Sequence, residues 1–131
     1  MFKKVGLAVL GLAMQTYGEK VTDQQEVLSW TADILIDTFA AESVVLRAQQ
    51  VNDADAGTAS LQADAARAFV NDAAGRIDLS ARSALAAMTE GDTLRTHLAA
   101  LRRLLKVSPL NTVVIRRRIA EQAVTRAGYI F

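Results

Sequence analysis

Apolar residues recur along most of this chain at spacings of three and four, the repeat of a helix face, and no stretch alternates apolar and polar positions long enough to make a strand. The first helical segment runs from about Lys3 to Tyr17, with Gly18 as a left-handed stop. A second begins near Thr22, with Gln25 three residues on as its capping-box partner, and continues without a breaker to about Gln50. Residues 51–58 (Val-Asn-Asp-Ala-Asp-Ala-Gly-Thr) read as the main loop and the most flexible segment. The third helix follows from about Ala59 to Met88, with Phe69, Ala73, Ile77, Ala84 and Met88 on one face. Glu90-Gly91-Asp92 makes a turn with Asp92 as N-cap, and the fourth helix carries Leu94, Leu98, Leu101 and Leu105 in series. Ser108-Pro109 ends it, because the residue before proline is pushed out of helical backbone angles. Asn111 or Thr112 caps a fifth helix that reaches about Ala127 and stops at Gly128. The predicted fold is all-α, an up-and-down bundle of four to five helices forming a single domain over residues 1–131.

The second helix carries two apolar stripes. On a wheel of about 100° per residue, Leu28, Ala32, Leu35, Phe39 and Leu46 form one, and Val27, Trp30, Ile34, Ala41 and Val45 form the other beside it. Glu26, Asp33 and Asp37 cluster on the remaining face. A helix of this kind touches neighbours on two sides. It is central in the bundle, the reading favoured here, or it gives one stripe to another subunit.

Composition sharpens this picture. At 131 residues the chain is long enough for one substantial core, and a hydrophobic share of 51% is that of a folding chain. Alanine supplies much of that share and aromatics only 5%, so helices are strongly favoured while each buried side chain contributes little area. Close helix contacts follow. With no cysteine there is no disulfide, thiolate nucleophile or cysteine metal site, which fits a cytoplasmic or matrix-like compartment. The N-terminal Phe2-Lys3-Lys4 and the apolar run Val5 to Met14 have the charge and length of a secretory signal, with Gly11-Leu12-Ala13 as its cleavage site. The same residues read equally as a structural helix, and the run is too short to span a bilayer.

Charge is unevenly placed. Residues 1–65 hold four basic and nine acidic side chains, residues 66–131 eleven and five. Acidic and basic helices packed against each other account for this more simply than a nucleic-acid surface, since the basic residues lack interleaved aromatics for base stacking. Arg116-Arg117-Arg118 turns 100° per residue and presents no single patch from one helix; Asp33 and Asp37 are its expected partners. Two charges fall on apolar ground. Glu42 lies between the stripes of the second helix, and Arg116 within the arc of Val113, Ile115, Ile119, Ala120 and Ala123 on the fifth. Because an unpaired buried charge is costly, a partly buried Glu42–Arg116 pair is expected to set helix register.

Catalytic chemistry finds no footing. Neither GxGxxG nor GxxxxGK[ST] occurs, so no phosphate-cradling loop is expected. His97 is the only histidine and has no partners at metal-ligand spacing; it reads as a surface or partly buried helix residue. Ser80, Ser83 and Thr93 lack a base.

The residues nonetheless have a familiar order. Gly11-Leu12-Ala13-Met14-Gln15-Thr16-Tyr17-Gly18, then Gln24 to Leu28, Ala32-Asp33-Ile34 and Phe39-Ala40-Ala41-Glu42-Ser43, resemble the extra C-terminal helical domain of acyl-CoA dehydrogenases of the bacterial fatty-acid-oxidation and mitochondrial very-long-chain types. The tail agrees at Leu101-Arg102-Arg103-Leu104, Pro109 to Thr112, Arg116 to Glu121 and Ala127-Gly128-Tyr129, so the resemblance covers nearly the whole chain. It favours a structural helix at the N-terminus. It implies that the FAD site and the proton-abstracting carboxylate belong to a preceding dehydrogenase core, leaving no catalytic, metal or cofactor residue to carry onto this chain. The implied role is to pack on that core, or on a second copy, and to set quaternary structure. Docking on a membrane surface through the first helix, with Lys3 and Lys4 at its start, is the alternative. The implied location is the cytoplasm or the periphery of the inner membrane, and no nucleic-acid partner is expected.

Overall fold

In the computed structural model, which describes residues 1–51 and 56–130, the chain is all-α. The helices are α1 (Phe2–Tyr17), α2 (Gln25–Gln50), α3 (Ala56–Met88), α4 (Gly91–Leu104) and α5 (Thr112–Arg126), with a 3-10 turn at Gly18–Asp23 between the first two. No strand occurs among the described residues. Of the loop expected at 51–58, residues 52–55 lie outside the described residues, and 56–58 already belong to α3.

Several helix ends differ from the expectation, each for a local reason. The capping box at Thr22 and Gln25 does not start α2. Thr22 lies in the 3-10 turn, and the Gln24 carbonyl accepts the first helical bond, from the Leu28 N–H at 3.0 Å. Glu90, not Asp92, precedes α4 in extended conformation, and the Asp92 carboxylate accepts from Arg95 instead. Helix α4 ends at Leu104, ahead of Ser108-Pro109, so proline is not its stop. Asn111 caps α5 as expected, its Oδ1 accepting from the Val114 N–H at 3.3 Å. Ala127, not Gly128, takes the left-handed angles at the other end, with φ 51°.

The helices group into two compact units, and α2 and α3 each contribute a segment to both. The first unit comprises Met1–Thr38 and Ala74–Val107. Its core is built on Val5, Val9, Ile34 and Ile77, the largest fully buried side chains of the described residues, joined by Ala13, Ala81, Ala84, Leu85 and Leu101. Thr31 and Thr38 sit on the same buried stripe of α2 as Val27 and Ile34. Each keeps its hydroxyl satisfied by donating to the carbonyl four residues back, at 2.8 and 2.6 Å. The N-terminal segment is a packed structural helix, its Phe2, Val5, Val9 and Ala13 all buried.

The second unit comprises Phe39–Ala73 and Ser108–Phe131. Its core is thinner in apolar volume. Ala41, Leu61, Ala66, Ala68, Ala73, Ile115 and Ile130 are buried, together with the polar Gln62 and Asp64. Helix α5 runs antiparallel to α3 here: Arg116, Arg118 and Arg126 bond to Asp72, Asp64 and Thr58 in descending order. Ile115 is the buried anchor between the first two of these arms.

Candidate functional site

Three features could carry a function: the outer face of α1, the charged seam between α3 and α5, and a cavity in the second unit. Helix α1 carries apolar residues on its outer face as well, beside the exposed Lys3, Lys4, Gln15 and Thr16. Opposite its buried stripe, Leu7 and Met14 are 68% and 59% exposed, with Gly11 between them open to solvent. Large apolar side chains left open together on one helix face mark a contact surface, here edged by polar residues. Where α1 meets α2 the fit is already close. A Cβ added at Gly6 would lie 3.0 Å from Leu35 Cδ2, so glycine is what lets α1 approach Ile34 and Leu35.

Helix α2 resolves its two stripes unequally. Val27, Ile34 and Ala41 of one are buried, while Leu35, Phe39 and Leu46 of the other remain exposed, Phe39 at 74%. A fully enclosed central α2 is therefore corrected: within this chain only one stripe is covered.

In the seam, Arg116 donates to Asp72 of α3 and to the Thr112 hydroxyl, and Arg118 Nη1 donates to Asp64 Oδ2 at 2.7 Å. The expected use of the arginine run against Asp33 and Asp37 is not what is found. Asp37 is held instead by two nitrogens of Arg76, at 2.9 and 2.6 Å, while Asp33 stands exposed. As for the proposed Glu42–Arg116 pair, Glu42 is exposed on α2, and the Arg116 side chain is exposed at the edge of the Ile115 stripe. Neither bears the burial that motivated the pairing. Asp64 does: its side chain is buried beside the exposed guanidinium of Arg118. The signal was available, since Asp64 shares a helix stripe with Leu61 and Ala68.

The cavity, about 390 Å³, lies between α2, α3 and the segment after α5 within the second unit. Val44, Ala48, Ala65, Ala66, Phe69 and Tyr129 make its walls, and Ser43, Arg47 and Gln62 are its polar groups. Gln62 is more than nine-tenths buried, and its Oε1 has no hydrogen-bond partner among the described residues. Sequence reading passed over it, because a lone glutamine on a helix gives no pattern. His97 is half-buried on α4, and no cluster of three metal-ligating side chains occurs among the described residues. No helix of the described residues is long and apolar enough to cross a membrane.

Residues 1–103 match the family model described as acyl-CoA dehydrogenase, C-terminal domain. The chain belongs to this family. It is 40% identical over 119 residues to a probable acyl-CoA dehydrogenase of Bacillus subtilis (strain 168), covering 90% of this chain and 20% of that protein. It also superposes with a TM-score of 0.91 and 34% identity on a crystal structure of acyl-CoA dehydrogenase complexed with FAD from Bacillus anthracis, covering 99% of this chain and 23% of that one. The C-terminal domain thus spans about a fifth of the length of these relatives. The cavity of the second unit does not fit FAD: it offers one arginine and mostly apolar walls, where a dinucleotide's pyrophosphate calls for converging amides or cations.

Proposed function

We propose that this chain is a non-catalytic accessory domain of an FAD-dependent acyl-CoA dehydrogenase of fatty-acid oxidation, packing on the catalytic core and helping to set its quaternary structure. The observation that carries the reading is the coverage: nearly the whole chain superposes on less than a quarter of an FAD-complexed enzyme chain. On this reading flavin and chemistry belong to the remaining three quarters, and the present residues supply a docking surface as a single domain.

The outer face of α1 is the surface assigned to that contact. Covering Leu7 and Met14 would contribute about 1.5–3 kcal/mol each when complete, and Gly11 between them admits a close-lying partner side chain. The test uses the Bacillus anthracis enzyme with its matching segment deleted, and follows flavin fluorescence on heating. Addition of the 131-residue chain is expected to raise the temperature of flavin release, and Leu7→Asp with Met14→Asp to remove the gain. An unchanged release temperature with the parent chain would sink the reading.

A further inference from the structure

Helix α5 has an inner side that engages α3 and an outer side that the fold leaves unused. On the inner side Arg116, Arg118 and Arg126 bond to Asp72, Asp64 and Thr58, and Ile115 is buried among them. Val113, Arg117, Ala120 and Val124 face the other way. At about 100° per residue they fall within an arc of roughly 60° opposite Ile115. All four are exposed, the two valines at 54% and 80%. Their spacing of four, three and four is that of a coiled-coil stripe. Valine is a poor choice for a helix surface that meets only water, since its branched side chain loses rotamer freedom there without gaining burial. The exposed Arg117 and Glu121 side chains, one turn apart, have no hydrogen-bond or ion-pair partner among the described residues. Arginine four residues before glutamate is the weaker order for a pair within one helix, so both charges are available to a neighbour.

We infer that this face of α5 pairs with the same face of a second copy, the two helices running antiparallel about a two-fold axis between residues 118 and 119. An isologous contact requires a self-complementary surface, and this stripe is one in that direction. Val113 meets the partner's Val124, and Arg117 lies over the partner's Ala120, whose small side chain leaves room for the arginine stem. Its guanidinium then reaches the partner's Glu121, and the two-fold makes this pair twice. A parallel arrangement would set Arg117 against the partner's Arg117, so charge selects the antiparallel one. A stripe of this size on a 15-residue helix is well short of the roughly 20–30 residues a side of a stable interface, so the dimer is weak. The contact does not depend on the docking of α1, which belongs to the other compact unit.

Sedimentation equilibrium of the whole chain, from about 20 µM to about 1 mM, tests the pairing. The expected result is reversible monomer–dimer association with half-dimerisation between about 0.1 and 1 mM, weakened by added salt. Arg117→Glu and Glu121→Arg each bring like charges together across the two-fold, and each alone is expected to weaken association about tenfold or more. An equimolar mixture of these two variants restores both cross-chain pairs and is expected to associate at least as well as the parent chain. Val124→Asp is expected to leave only monomer. The substituted side chains are exposed, so circular dichroism should find every variant folded. A parent chain that stays monomeric throughout the series would overturn the inference. So would a dimer indifferent to both charge reversals, or variants that fail to associate when mixed. A dimer lost with Leu7→Asp and Met14→Asp but kept with Val124→Asp would place the contact on α1 and overturn it as well.

Discussion

Asp64 and Arg118 show how one charged pair can matter while another does not. Asp64 is buried, so removing Arg118 strands a carboxylate that water cannot reach easily. Arg118→Ala is expected to cost about 1–3 kcal/mol in urea unfolding, less than for a wholly enclosed pair because the guanidinium itself is half exposed. Arg95 and Asp92 form a bond of similar length, 2.9 Å, but both side chains are almost fully exposed. Arg95→Ala is expected to change stability by less than about 0.5 kcal/mol. The sequence pointed to Arg116 as a charge on apolar ground, and that arginine does bridge two helices, yet its observed carboxylate is Asp72. A wheel locates a residue on its own helix. It carries no information about which neighbour stands opposite, and Asp64, Asp72 and Gln62 all lie on the neighbour.

Helix identity was legible almost throughout, because long runs with a spacing of three and four admit no other regular structure. Ends were less so. Thr22 and Gln25 have the residue types of a capping box, but the glycine at 18, with φ 55°, turns the chain into a 3-10 segment that occupies the position first. Gly128 looked like the stop of α5, whereas Ala127 adopts the left-handed angles and bears the steric cost of its Cβ there. Ala127→Gly is therefore expected to stabilise the chain by about 0.5–1 kcal/mol, read as a higher urea midpoint at unchanged slope. A lower midpoint would mean that the positive φ carries no cost at this position.

The two stripes of α2 predicted neighbours on two sides, and the chain covers one of them. Apolar periodicity reports that a face will be buried without saying whether the cover lies in the same polypeptide, which is why enclosure by this chain's own helices was the wrong resolution. Leu35, Phe39 and Leu46 on α2, and Leu7 and Met14 on α1, are left for something else. Membership in the acyl-CoA dehydrogenase C-terminal domain family supplies the candidate proposed above, the remaining four-fifths or so of its relatives' length. The deciding measurement is light scattering after size-exclusion chromatography of the chain mixed with the Bacillus anthracis enzyme shortened by its matching segment. The account predicts one peak that retains flavin absorbance, with a mass equal to the shortened enzyme plus one chain per core subunit, lost with Leu7→Asp and Met14→Asp. Separate elution of the two species at concentrations up to about 100 µM, well above the dissociation constant of a specific interface, would contradict it.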